Sequence, residues 1–152
     1  MQPDNCERCE IIISHMMLPQ DANPAGNIHG GAIMKLIDSA AGVVAIRHAR
    51  SNVVTASIDR LDFFHPVFIG NLLTLRASLN YAGRTSMEIG VRAEAEDLLT
   101  GNIRHIASAY LTYVALDDSG HPRRIPPMEP QTAAQQRRHE EALQRRALRL
   151  AR

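Results

Sequence analysis

The sequence predicts an α+β fold in which one long helix packs against an antiparallel sheet of about five strands. Two observations carry this prediction. Residues 30–49 bear apolar side chains at spacings of three and four, the pattern of a helix with one buried face. After residue 52 the apolar period changes to two, the pattern of antiparallel strands with one packed face and one wet face. At 152 residues the chain is long enough for one domain and too short for two ordinary ones.

The first elements are a strand, a loop and the long helix. Residues 10–18 predict the strand, and residues 19–31, with two Pro and three Gly, predict the loop. The helix over residues 30–49 has a wide apolar stripe that is free of charge, which indicates a deeply buried face. The stripe consists of Ile33, Leu36, Ile37, Ala40, Ala41, Val44 and Ala45.

The second half of the domain is predicted to be strands. Their expected ranges are residues 53–60, 72–82, 85–96 and 103–116. In residues 85–96, for example, alternation points Met87 and Ile89 inward and leaves Glu88 in solvent. The Pro-rich residues 120–130 are expected to end the sheet. One open sheet leaves edge strands, and pairing them between subunits is one way to cover them.

The composition is that of a soluble globular protein, with 45% hydrophobic and 22% charged residues. No apolar run approaches the roughly 20 residues of a membrane helix, and the first residues lack a secretory signal, so we expect a cytoplasmic protein without a membrane partner. The net charge of +1 argues against a nucleic-acid binder. We expect a flexible N-terminus over residues 1–9, the main domain over residues 10–127 and a basic tail over residues 128–152.

The tail and the N-terminus each allow several interpretations. Residues 131–152 hold six Arg and two Glu, a charge of +4, which leaves −3 on the rest of the chain. The tail predicts a helix that is solvated, packs on a neighbouring subunit or attracts an anionic ligand. Cys6 and Cys9 form a CxxC pair with no further ligands to complete a zinc site, so we expect two reduced thiols on a mobile segment. A metal site shared between subunits is the alternative.

Four residues near the start of the long helix could carry chemistry. Gly31 lies at a helix start, where unpaired N–H groups can hold a carbonyl oxygen as it becomes negative. Asp38 falls two turns later at the edge of the apolar stripe, where a half-desolvated carboxylate suits a base. Asn23, in the loop, could act or could make an Asx-turn, and His29 could be a base or a backbone-bonded loop residue. Structural alternatives also remain open for the other two, a tight turn for Gly31 and an ion pair with a nearby Arg or a backbone cap for Asp38.

Four sequence blocks, in order, resemble the acyl-CoA thioesterase branch of the hotdog superfamily. The blocks are LPQDANPAGNIHGGAIMKLID, VVTASIDRLDFFHPVFIGN, AGRTSMEIGV and TYVALDDSGHPRRIPP, and they lie within residues 10–127. The resemblance implies a hotdog fold, with a long central helix wrapped by an antiparallel sheet of about five strands. It also implies dimers, often assembled into a hexamer as a trimer of dimers, with acyl-CoA as the substrate.

The resemblance assigns roles to individual residues. It implies an active site at the dimer interface, where Asn23 and Asp38 would come from different subunits and the N–H of Gly31 would bind the oxyanion. The GRTS turn, Gly83, Arg84, Thr85 and Ser86, falls where the family holds CoA phosphates or pantetheine, and Arg123 and Arg124 are weaker phosphate candidates. CoA enters as part of the substrate, and no separate cofactor or metal is required.

We therefore expect hydrolysis of acyl-CoA to free fatty acid and CoA. Asp38 would activate a water as general base or attack the thioester itself, and Asn23 would orient the water or the thioester. Two alternatives stay open. One is a hotdog dehydratase or hydratase, for which His29 is the candidate base, and the other is a non-catalytic protein that senses acyl-CoA and meets nucleic acid through its basic tail.

Overall fold

The computed structural model of the protein describes residues 9–151, in which one long helix and one sheet form the centre of the fold. A short 3-10 helix, Pro19–Asp21, lies in the loop between the first strand and the long helix. The other elements, in chain order, are β1 Glu10–Met16, α1 Gly30–Ala49, β2 Asn52–Ile58, β3 Asp62–Phe63, β4 Leu72–Ala82, β5 Ser86–Glu96, β6 Ile103–Leu116 and α2 Ala133–Leu150.

The strands form one antiparallel sheet with the order β1-β4-β5-β6-β2, and the short β3 also pairs with β6. The sheet wraps α1, which packs against β1, β2, β4, β5 and β6. This arrangement confirms the predicted α+β hotdog fold. The sheet has six strands instead of about five, because the two residues of β3 pair with β6 as a separate short strand.

The helix α1 supplies the centre of the core. Its buried residues are Ile33, Ile37, Ala40, Ala41, Val44, Ala45, His48 and Ala49. Leu36 of the predicted stripe is only half-buried. The helix ends where Arg50 adopts a left-handed conformation with φ 53°, and the Arg50 N–H donates to the Ile46 carbonyl at 2.7 Å. The helix carries small residues on its buried side, so the sheet can approach it closely.

The second helix, α2, covers part of the outer face of the sheet. Thr132 caps its start by accepting a hydrogen bond from the Gln135 N–H at 3.1 Å. Arg145 of α2 donates two hydrogen bonds of 2.8 Å to Glu88 of β5, whose side chain is only 1% exposed. The prediction that Glu88 lies in solvent is therefore wrong, because alternation along β5 does not reveal that α2 covers that face. Arg149 further joins α2 to Asp59 at 2.7 Å.

The N-terminal cysteine pair is only partly described. Cys9 is buried, and its carbonyl accepts a hydrogen bond from the Leu79 N–H at 2.8 Å. Cys9 is disulfide-bonded, so the expectation of a reduced thiol is wrong for this residue. Cys6 and the rest of residues 1–8 lie outside the described residues. Neither helix of residues 9–151 combines the length and apolar character needed to cross a membrane.

Candidate active site

Asp38 lies half-buried in the third turn of α1, at the edge of the buried face. Its Oδ1 accepts two hydrogen bonds, from Thr55 Oγ1 at 2.8 Å and from the Tyr113 phenol at 2.6 Å. The same phenol lies 2.8 Å from the Asp38 carbonyl oxygen. Within residues 9–151, Oδ2 accepts no hydrogen bond. One carboxylate oxygen is therefore held in place, and the other is open to a reactant.

The strand register explains why these three residues meet. Thr55 of β2 and Tyr113 of β6 are directly paired, so both side chains point to the face that α1 covers. Tyr113 is buried, and this burial, together with the hydrogen bond to Asp38, raises the pKa of its phenol far above the usual range. The phenol therefore keeps its proton and is the donor to Asp38.

The start of α1 offers backbone N–H groups. The helix begins at Gly30 after His29, whose side chain makes no capping hydrogen bond. The His29 carbonyl accepts from the N–H of Ala32 at 3.0 Å and of Ile33 at 3.3 Å, but the N–H of Gly31 has no backbone acceptor among residues 9–151. Gly31 is exposed, and its N–H lies at the positive end of the helix dipole. It can therefore donate to a developing negative charge.

Asn23 lies in the loop before α1 and is half-buried. Its Oδ1 accepts from the Ala25 N–H at 3.0 Å, which makes the Asx-turn expected for an Asn in such a loop. The Asn23 N–H donates to the Asn27 carbonyl at 2.8 Å. In the described part of the chain no hydrogen bond joins Asn23 to Asp38, so a single subunit does not link these two predicted site residues.

The β4–β5 turn, Gly83–Ser86, lies at the end of the sheet where Tyr113 lies, because Ser86 pairs with Val114. The Gly83 N–H donates to the Ser86 carbonyl at 2.7 Å and closes the turn. An added Cβ at Gly83 would come within 3.1 Å of the Tyr81 phenol oxygen, so the turn favours glycine there. Arg84 is exposed and forms no ion pair with any of residues 9–151.

The segment after β6 runs beside this turn. The Arg123 N–H donates to the Ala115 carbonyl at 2.8 Å, and the Ala115 N–H donates to the Thr85 carbonyl at 2.9 Å. Ile125 in turn donates its N–H to the Arg84 carbonyl at 3.0 Å. The structure therefore brings Arg84 close to Arg123 and Arg124, all three of which are exposed. Three cations beside one turn can attract a phosphate group.

Two residues of this site were not predicted from the sequence. Thr55 and Tyr113 both contact the Asp38 carboxylate, but each lies in a strand whose period-two pattern indicates only its packed face. The sequence did contain one signal, a hydroxyl on each of these two inward-facing residues. A buried hydroxyl needs a hydrogen-bond partner, so each hydroxyl indicates a polar contact in the core. The partner could not be found without knowing how β2, β6 and α1 pack.

The remaining features of the described chain do not compete with this site. Among residues 9–151, no group of three or more His, Cys, Asp or Glu is arranged to hold a metal. His29 is exposed, and no side-chain hydrogen bond connects it to Asp38. A cavity of about 470 Å³ lies between α2 and the outer face of the sheet, and none of the predicted site residues lines it.

Comparisons with known proteins identify the family of this chain. Residues 25–101 match the model of the thioesterase superfamily. The Helicobacter pylori protein VdlD is 39% identical over 146 residues, which are 96% of this chain and 83% of that protein. A crystal structure of an apo-hexameric acyl-CoA thioesterase is 40% identical, superimposes with a TM-score of 0.94, and the match covers 99% of this chain and 97% of that chain.

A second solved relative is the acyl-CoA hydrolase of Staphylococcus aureus, in complex with butyryl-CoA, CoA and CoA disulfide. It is 34% identical with a TM-score of 0.89, and the match covers 97% of this chain and 90% of that chain. The same hydrolase was also solved as variants with Ala in place of one Asp, one Asn or one Thr. The chain described here therefore belongs to the hotdog-fold acyl-CoA thioesterases of the thioesterase superfamily.

Proposed function

We propose that this protein hydrolyses acyl-CoA to free fatty acid and CoA, with Asp38 as the central catalytic residue. The observation that carries the proposal is the asymmetry of the Asp38 carboxylate. Thr55 and Tyr113 hold Oδ1, while Oδ2 is open at the edge of the buried face. The variants of the Staphylococcus aureus hydrolase replace an Asp, an Asn and a Thr, which are the residue types of Asp38, Asn23 and Thr55.

In the proposed mechanism, Oδ2 of Asp38 takes a proton from a water that attacks the thioester carbonyl. The carbonyl oxygen becomes negative and accepts a hydrogen bond from the N–H of Gly31. The C–S bond then breaks, and the proton held by Asp38 passes to the sulfur, which releases CoA thiol and the free acid and restores the carboxylate. Asn23 orients the water or the thioester. Direct attack by Asp38, with formation of an anhydride that water then hydrolyses, is the alternative use of the same carboxylate.

We propose that the complete site needs a second subunit. The edge strand β2 and the adjoining side of α1 expose Val43, Ile46, Val54 and Ile58, each at least 39% exposed. Pairing β2 with its copy would cover this apolar edge and extend the sheet across a dimer. Such a dimer can bring Asn23 of one subunit to Asp38 of the other. We also propose that these dimers assemble into a trimer of dimers. The protein is proposed to be cytoplasmic, with residues 10–127 as its thioesterase domain.

The Gly83–Ser86 turn is proposed to bind the phosphates of CoA. Arg84→Ala is expected to raise KM for acyl-CoA about tenfold and leave kcat unchanged, because one charge-assisted hydrogen bond is lost far from the reacting atoms. The rise in KM is expected to be at the lower end of the range for a lost charge-assisted hydrogen bond, because Arg123 and Arg124 remain beside the turn. Steady-state kinetics at fixed ionic strength measure the change.

The matched control is Arg104→Ala, which removes an exposed arginine at the opposite end of the β5–β6 pair. It is expected to leave KM unchanged. S-acyl-pantetheine lacks the phosphates and adenosine of acyl-CoA, so wild type and Arg84→Ala should use it equally well. A rise in KM for acyl-pantetheine as large as that for acyl-CoA would contradict a phosphate role for Arg84.

The proposed activity is tested by release of CoA thiol from a series of acyl-CoAs between acetyl-CoA and palmitoyl-CoA. We expect catalytic turnover with a clear optimum of chain length, which would define the substrate class. Binding of acyl-CoA without turnover across the whole series would favour the sensor interpretation. With enoyl-CoA or 3-hydroxyacyl-CoA as separate substrates, addition or loss of water without thiol release would favour a hydratase or dehydratase.

A further inference from the structure

We propose that Tyr113 is a positioning residue for hydrolysis, which holds Asp38 so that Oδ2 faces the reacting water. This inference rests on the proposed function and adds to it a residue that the sequence did not single out. The geometry is specific: the Tyr113 phenol lies 2.6 Å from Asp38 Oδ1, which is short for a hydrogen bond and typical of one to a charged acceptor.

Two donors converge on one carboxylate oxygen. Thr55 approaches Oδ1 from β2 at 2.8 Å, while Tyr113 approaches it from β6. The Tyr113 phenol has one proton and two nearby acceptors, Oδ1 and the Asp38 carbonyl oxygen, which lies 2.8 Å from the phenol oxygen. Because the charged Oδ1 is the stronger acceptor, the phenol donates to Oδ1. With both donors on Oδ1, rotation of the carboxylate about its terminal bond would cost two hydrogen bonds. Oδ2 therefore keeps its lone pairs for the proton of the attacking water.

The surroundings of Tyr113 make it a rigid donor. Its side chain is 2% exposed, and its strand is paired on both sides, with Thr55 on β2 and Met87 on β5. The helix α1 passes close to the phenol at Gly42, one turn after Asp38, where an added Cβ would lie 3.9 Å from the phenol oxygen, an ordinary contact distance. Because burial and the hydrogen bond to Asp38 raise the pKa of the phenol, it stays protonated and donates throughout the pH range of an ordinary assay. A phenylalanine would keep the packing and lose only the donor.

The test compares Tyr113→Phe with wild type in CoA-thiol release. We expect kcat to fall about tenfold with KM unchanged, because a hydrogen bond to a charged group is lost while Thr55 still holds Oδ1. Tyr110→Phe is the matched control, since Tyr110 lies in the same strand but contacts Arg145 on the outer face. It is expected to leave kcat unchanged. Circular dichroism and thermal unfolding check that both variants are folded.

A double-mutant cycle separates positioning from a general structural role. In the Asp38→Asn background, Tyr113→Phe should lower the residual kcat by less than twofold, because the oxygen it positions no longer acts as a base. An equal tenfold loss in both backgrounds would overturn the proposal, as would an unchanged kcat in Tyr113→Phe alone. A wild type that does not turn over acyl-CoA would overturn the proposed function and this inference together, so the two failures are distinguishable.

Discussion

Changing Asp38 to Asn is expected to lower kcat for acyl-CoA hydrolysis by about 10²–10⁴-fold, the usual contribution of a positioned general base. The amide oxygen can still accept hydrogen bonds from Thr55 and Tyr113, so the side chain should keep its place. The amide nitrogen then replaces Oδ2, and an amide cannot take a proton from water. Release of CoA thiol under saturating substrate measures the loss, and thermal unfolding checks that the variant is folded.

The control is Asp118→Asn, which makes the same chemical change at an exposed residue without a hydrogen bond or ion pair from its side chain in residues 9–151. We expect its kcat to equal that of wild type. If Asp38→Asn keeps more than a tenth of the wild-type kcat, Asp38 is not the base, and the site must be sought elsewhere along the helix α1.

The two uses of Asp38 differ in the order of product formation. If Asp38 attacks the thioester, CoA is released as the anhydride forms, and the free acid appears only after water hydrolyses the anhydride. If Asp38 activates water, the acid and CoA form in one step. A rapid-quench experiment with excess enzyme should therefore show both products rising together for the general base, and CoA rising first for the nucleophile.

Changing Arg145 to Ala is expected to lower the free energy of unfolding by about 3 kcal/mol, because it leaves the carboxylate of Glu88 buried without its bidentate partner. Burial alone would lower the pKa of the Arg145 guanidinium, but the hydrogen bonds and charge of Glu88 outweigh burial and raise it. Arg149 at 3.8 Å and the Asn80 amide at 3.1 Å remain near Glu88, which keeps the loss at the lower end of the range for a broken buried pair.

Two further variants make this prediction specific. Arg137→Ala removes an exposed arginine of the same helix, whose ion pair with Glu141 at 4.0 Å is worth little, so we expect a change below about 0.5 kcal/mol. Adding Glu88→Gln to Arg145→Ala removes the buried charge and should recover part of the lost stability. Denaturant unfolding at one fixed protein concentration measures all three, since assembly contributes to apparent stability. Equal losses in Arg137→Ala and Arg145→Ala would contradict the role of the pair.

The sequence was most informative where one periodicity runs uninterrupted. The apolar stripe of residues 30–49 predicted α1 with the bounds that the structure has, Gly30–Ala49. Alternation over residues 72–82 and 103–116 predicted β4 and β6 with their observed bounds. These patterns are local, because the buried face of a helix or strand requires apolar residues at regular positions within that element. The family resemblance rested on four local blocks, and the match to the thioesterase superfamily confirms it.

The sequence was least informative where one residue depends on a distant one. Glu88 looked like a solvent-facing strand residue, and it is buried because Arg145, 57 positions later, neutralises it. Thr55 and Tyr113 looked like ordinary strand positions until the register of β2 and β6 brought both hydroxyls to Asp38. A polar side chain in a strand does not reveal its partner, because that partner is chosen by packing across the sheet.

By itself, the sequence determined the order of elements, the buried face of α1 and the presence of a half-buried carboxylate at Asp38. Apolar periodicity encodes these features residue by residue, so they need no knowledge of the remaining chain. Only the tertiary structure decided which donors hold Asp38 Oδ1, and that α2 lies across the outer face of the sheet and buries Glu88. Those outcomes depend on contacts between elements far apart in the chain, and contact between elements is set by the packing of the whole fold.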